Sequence, residues 1–199
     1  MSYCRPIDTH GRPIILIGMM GSGKTTVGKE LSKLTGLPLL DMDSVIEEQI
    51  GKSIADIFRE DGESRFRALE TALLRYLEAS PGNTRGATII STGGGVVLRA
   101  ENRRLLSKMG YVVWFDVTVD SLIERTSRAN NRPLLRCENR REILERLQEE
   151  RRALYSEICD LYVETSSLDV LSVVEVVHAG AKAYFADSNT NREKPEEQS

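Results

Sequence analysis

No other stretch limits the fold as tightly as Gly18 to Gly28, GMMGSGKTTVG. It fits the pattern G-x-x-x-x-G-K-[ST], and its flanks agree with that reading. The apolar run IILI (residues 14–17) precedes it, and Val27, Leu31 and Leu34 follow at helical spacing until Gly36 supplies a stop. Such a run suits a strand buried on both faces, as in a parallel sheet. The glycines permit a backbone in which successive N–H groups point inward at phosphate oxygens, and the following helix adds its positive end. Gly21, Ser22, Gly23, Lys24, Thr25 and Thr26 therefore form a candidate nucleotide-phosphate cradle. In it Lys24 is expected to reach the β- and γ-phosphates and the Thr25 hydroxyl to ligate Mg²⁺. A loop of this kind leaves the phosphoryl acceptor unspecified.

The rest of the chain alternates strands with helices. PLLDMD (38–43), ATIIST (87–92), YVVWFDV (111–117) and LYVET (161–165) read as four further strands. Helical patterns cover 44–50, 53–60, much of 62–79, 100–109, 119–129, 140–158 and 168–185, and NNRPLLRCENR (130–140) reads as irregular. Five strands alternating with helices imply an α/β fold, with a mostly parallel sheet, helices on both faces and functional loops at the strand C-terminal ends. A length of 199 residues suits one domain.

Residues 1–12 read as a loose lead-in, and the polar tail after Phe185 is expected to be disordered. The net charge of −3 argues against a nucleic-acid partner. No apolar run approaches the ~18 residues of a membrane span. Cys4, Cys137 and Cys159 form no Cys-x-x-Cys pair, and the first dozen residues lack the apolar core of a signal peptide, so free thiols in the cytoplasm are expected.

Several residues beyond the loop carry chemistry. Asp41 and Asp43 leave the second strand two positions apart and can face one pocket, one near a metal and the other accepting a proton from a hydroxyl. A plainer role is equally open, in which Asp43 or Ser44 caps the next helix. Arg67 and Glu70 lie three apart on a helix and can pair, the glutamate aiming the guanidinium, or they form a solvated surface pair. Gly93, Gly94 and Gly95 follow a strand directly, and three consecutive glycines suggest that something touches the backbone closely. RTSRANNRPLL holds Arg125, Arg128 and Arg132, placed to close over a nucleotide. Arg151 and Arg152 point about 100° apart on a helix, so at most one is expected to face a site and the other to lie on the surface.

In order, GMMGSGKTTVG, DMD (41–43), GESRFRALE (62–70), STGGG (91–95), RPLL (132–135) and RRALY (151–155) resemble the shikimate kinase family, over about Ile14 to Phe185. The resemblance implies a P-loop, nucleoside-monophosphate-kinase-like three-layer α/β/α fold with a five-stranded parallel sheet. It implies a single domain over 13–185 with a lid at about 126–140, a lead-in over 1–12 and a tail over 186–199. The implied reaction is phosphoryl transfer from MgATP to the 3-hydroxyl of shikimate, on the route to aromatic amino acids, by a monomer. It further implies shikimate contacts at Asp43, Arg67, Gly93, Gly94, Gly95 and Arg151, with Arg67 and Arg151 on the carboxylate and Asp43 at the reacting hydroxyl. Arg132 matches a lid arginine at the phosphates and Arg125 one beside adenine. Thr25 matches the Mg²⁺ ligand, with Asp41 near the metal through water. VETSSLDV (163–170) lacks the proline and arginine associated with the adenine side in some members, which leaves 166–169 unassigned.

Overall fold

A computed structural model describes residues 5–79, 88–127 and 139–190. Five parallel strands, β1 (Ile14–Gly18), β2 (Leu39–Asp41), β3 (Ile89–Ser91), β4 (Tyr111–Asp116) and β5 (Leu161–Glu164), form one sheet in the order β2-β3-β1-β4-β5. The helices are α1 (Lys24–Thr35), α2 (Met42–Ile50), α3 (Ile54–Glu60), α4 (Gly62–Ala79), α5 (Ala100–Met109), α6 (Val119–Ser127), α7 (Arg140–Ser156) and α8 (Val170–Thr190), with a 3-10 turn at Val96–Leu98.

Alternation along the central strands divides the core into two layers. Ile14 and Leu16 of β1, with Tyr111, Val113 and Phe115 of β4, pack with Val27 and Leu31 of α1 and Val173, Val174 and Val177 of α8. Ile15 and Ile17, with Val112 and Trp114, pack on the other face with Leu73, Leu74 and Leu77 of α4, Leu106 of α5 and Tyr155 of α7. β1 and β4 are buried at every position, which explains their uninterrupted apolar runs. The outcome is the expected three-layer α/β/α arrangement.

Several expected boundaries move. The second strand is shorter than expected, because Asp41 ends it and already caps α2, its Oδ1 accepting from the Ser44 N–H at 3.3 Å. Asp43 thus sits in the first turn of a helix, and the strand-alternation argument for its direction does not hold. α8 runs to Thr190, past the expected end at Phe185. The lead-in is not loose over residues 5–12. Ile7 is buried in the core, Arg5 N–H donates to Leu34 O at 2.6 Å, and His178 Nε2 meets Arg5 O at 3.1 Å. One apolar side chain and two backbone contacts pin a segment that composition alone marks as irregular. Cys4, Cys137, Arg128, Arg132 and most of the expected lid lie outside the described residues.

Candidate active site

β1 delivers the chain into a turn where Gly18, Gly21 and Gly23 all have positive φ, of 139°, 82° and 97°. These left-handed conformations are the reason for glycine at these points. α1 begins at Lys24, so the loop's amides and the helix N-terminus converge. The Lys24 ammonium is buried and folds back across the loop, donating to Gly18 O at 2.8 Å and Met19 O at 2.9 Å. Its charge is therefore held inside the loop rather than in solvent.

Thr25, one residue on, donates its hydroxyl to Asp41 Oδ2 at 2.7 Å and lies 3.2 Å from Ser91 Oγ. Asp41 therefore has a double role, capping α2 with one oxygen and holding Thr25 with the other. Hydroxyl and carboxylate oxygens at one spot are hard donors, the kind that Mg²⁺ takes from protein when substrate phosphates supply the rest.

Opposite the loop stands a charged cluster around the glycine turn. Arg67 is clamped by two carboxylates: Nη1 donates to Glu70 Oε2 at 2.7 Å, and Nη2 to Glu63 Oε1 at 2.9 Å. Its guanidinium also lies 5.2 Å from the Phe66 ring centroid and 5.8 Å from that of Phe58. Glu70 is fully buried, so Arg67 and Glu70 are not a solvated surface pair. Burial pushes the Glu70 carboxyl above the usual carboxylate range, the Arg67 charge pulls it down, and Asp43 adds a smaller upward push. Burial alone would lower the Arg67 pKa, but the two glutamates carry it above its ordinary value.

The three glycines serve space rather than unusual φ, since none has a positive φ. A Cβ on Gly93 would lie 2.8 Å from Glu70 Oε1 and 2.9 Å from Asp43 Oδ1. One on Gly94 would lie 2.8 Å from Met20 N, and one on Gly95 would run into the Arg67 guanidinium. The close approach expected at this turn is thus made by the protein's own side chains and by the phosphate loop. α7 reaches the same turn. Arg151 Nη1 donates to Gly94 O at 3.2 Å, and the Tyr155 hydroxyl donates to the same oxygen at 2.5 Å. Burial raises the Tyr155 phenol well above its usual value, so it remains a donor.

A cavity of about 890 Å³ joins the loop and the cluster. Every expected site residue among the described ones lines it, from the loop through Asp41, Asp43 and Arg67 to the three glycines, Arg125 and Arg151. Arg125 Nη2 donates to Thr165 O at 2.7 Å, tying α6 to the end of β5. Thr165, Leu168, Val170 and Val173 add a wall there that the sequence reading left unassigned. Phe58 and Phe66 line the cavity beside Arg67 and lie outside the expected set of site residues. Phe66 and Tyr155 belong to the motifs GESRFRALE and RRALY, whereas Thr165 carries no local signal.

A phosphate loop that shares one cavity with a carboxylate and two arginines defines a small-molecule kinase of the P-loop class. A family model described as shikimate kinase matches residues 20–180. The shikimate kinase of Actinobacillus pleuropneumoniae serotype 5b is 45% identical over 154 residues, covering 77% of this chain and 86% of its own. That of Bordetella avium is 39% identical over 175 residues, covering 88% and 81%. Among solved structures, shikimate kinase from Acinetobacter baumannii in complex with shikimate superposes with a TM-score of 0.78 at 38% identity, covering 84% of this chain and 90% of that one. A gluconokinase from Sinorhizobium meliloti, at 18% identity and a TM-score of 0.57, shares the fold alone. The chain belongs to the shikimate kinase family, and its activity is phosphoryl transfer to shikimate. No helix among the described residues is long and apolar enough to cross a membrane.

Proposed function

We propose that ATP and shikimate meet in this cavity, with the donor phosphates on Gly21–Thr26 and the acceptor between Asp43, Arg67, the glycine turn and Arg151. The observation that carries the assignment is that one cavity is walled by both groups. Arg67 and Arg151 bring guanidinium forks suited to a carboxylate. The amides of Gly93, Gly94 and Gly95 suit hydroxyls. Arg125, beside Thr165, lies at the base end of the nucleotide. Arg132, outside the described residues, is assigned to the phosphates by the family resemblance. The domain extends beyond 13–185, taking in residues 5–12 and the end of α8, and acts as a cytoplasmic monomer.

Thr25 and, through water, Asp41 would hold Mg²⁺, which would neutralise charge on the phosphates. Lys24 offsets negative charge on the transferring group from within the loop. Asp43 accepts a hydrogen bond from the shikimate 3-hydroxyl and takes its proton as the oxygen–phosphorus bond forms and the bond to the ADP oxygen breaks. The transition state of such transfers is loose, so orientation by Asp43 matters more than its basicity. Asp43→Asn is expected to lose nearly all turnover in a coupled ADP-release assay while keeping ATP binding. A kcat close to the parent's would overturn the assignment.

A further inference from the structure

Helix α7 carries two pairs of side chains that reach polar partners outside the helix, each pair four residues apart. Arg151 and Tyr155 grip Gly94 O. Gln148 and Arg152 instead converge on the carboxylate of Asp116, the last residue of β4, which does not line the cavity, although Asp116 O accepts from the N–H of cavity-lining Thr165 at 2.9 Å. Gln148 Nε2 donates to Asp116 Oδ1 at 3.2 Å and to Val117 O at 2.7 Å, and Arg152 Nη2 lies 3.2 Å from Asp116 Oδ2. The Tyr162 hydroxyl of β5 donates to that Oδ2 at 3.2 Å, and Val117 N–H to Oδ1 at 3.0 Å. Oδ1 therefore has two hydrogen-bond donors and Oδ2 one donor and an ion-pair partner, on a side chain only 10% exposed. The Arg152 guanidinium also lies 5.8 Å from the Trp114 ring centroid, and Trp114 stacks on Tyr155.

Apolar packing also holds this helix, with Leu147 and Leu154 lying against the core beside Leu144 and Tyr155. Only Leu144, Arg151 and Tyr155 are buried along its 17 residues. A slip of one residue is a translation of about 1.5 Å and a turn of about 100°, enough to take Arg151 off Gly94. We propose that Asp116 is a positioning residue for acceptor binding: through Gln148 and Arg152 it sets the register of α7, and so the aim of Arg151. This rests on the assignment of Arg151 to the shikimate carboxylate made above. Arg152 is thus neither a substrate ligand nor an idle surface charge.

The test is a double-mutant cycle between Asp116→Ala and Arg151→Ala, read as KM for shikimate and for ATP, with melting temperatures alongside. Asp116→Ala is expected to raise KM for shikimate about tenfold, the effect of losing a charged hydrogen-bond partner, with KM for ATP within about twofold. In the Arg151→Ala background the same change should add almost nothing, because the residue it aims is gone. Removing a buried carboxylate can unfold the chain, so Arg152→Ala, whose side chain is 55% exposed, is measured in the same cycle. It should move KM for shikimate in the same direction by less, with partial recovery in Arg152→Lys. Effects that multiply fully with Arg151→Ala, or a lowered melting temperature with both KM values unchanged, would overturn the positioning role. An unchanged KM in Arg151→Ala itself would remove the reading on which the inference stands.

Discussion

Gly93→Ala adds one methyl group against the carboxylates of both Asp43 and Glu70, in the proposed acceptor site. The added carbon would stand 2.9 Å from Asp43 Oδ1 and 2.8 Å from Glu70 Oε1, whereas ordinary van der Waals contact begins near 3.4 Å. Each contact must open by about 0.5 Å, so both carboxylates are pushed, and the question is which moves further. Glu70 is fully buried and tied to Arg67 at 2.7 Å. Asp43 is only half-buried, in the first turn of α2, so it moves further. A misplacement of ~1 Å in a reacting group costs about a hundredfold in rate, so half that distance should cost roughly tenfold in kcat, or about 1.4 kcal/mol. Backbone strain adds nothing, since Gly93 has no positive φ. The assay is ADP release at saturating ATP and shikimate, with a melting curve to show that the fold persists. A kcat within twofold of the parent would refute the placement of Asp43 at the reacting hydroxyl. A loss confined to KM for shikimate would show that Glu70, and with it Arg67, had yielded instead.

Two other outcomes follow from the same cluster. Arg67→Ala removes a charged donor worth about 1.5–3 kcal/mol, so KM for shikimate should rise at least about tenfold with a smaller change in kcat, and an unchanged KM would count against the carboxylate clamp. Glu70 has its carboxyl raised above its ordinary value of 4.5, chiefly by burial. The fold therefore favours the protonated form, and the contribution of this group to stability is full below its unfolded value and lost as pH rises through the folded one. Measured as the difference in melting temperature between parent and Glu70→Gln, stability should shift in favour of Gln as pH rises above about 4.5. The opposite slope would mean that attraction to Arg67 outweighs desolvation.

What could be read along the chain was whatever has a local cause. The phosphate loop is a contiguous pattern, and the apolar runs of β1 and β4 reflect burial on both faces, so the fold class and cradle were accessible at once. Arg67 and Glu70 were legible as a pair because one helical turn separates them. The plain capping role, expected at Asp43 or Ser44, falls on Asp41, since an aspartate that ends a strand and one that starts a helix look alike in DMD. The anchoring of residues 5–12 was hidden because its partners, Leu34 and His178, are remote in sequence.

The same distance hides most of what makes the acceptor site rigid. Gly94 O takes hydrogen bonds from residues 57 and 61 positions further along the chain, and no local pattern marks a carbonyl for that use. The triple glycine announced a close approach but not its source. That source turned out to be Asp43, Glu70, Arg67 and the loop backbone at Met20, all upstream of the turn. The glycine turn is therefore where the phosphate loop, the Arg67 helix and α7 are brought against one another. An error of half an ångström there reaches donor and acceptor sides together. Side chains absent at 93, 94 and 95 matter as much to the geometry as the charged ones present around them, because the missing Cβ atoms at 93 and 95 leave space for Asp43, Glu70 and Arg67, and the one at 94 for the loop backbone at Met20.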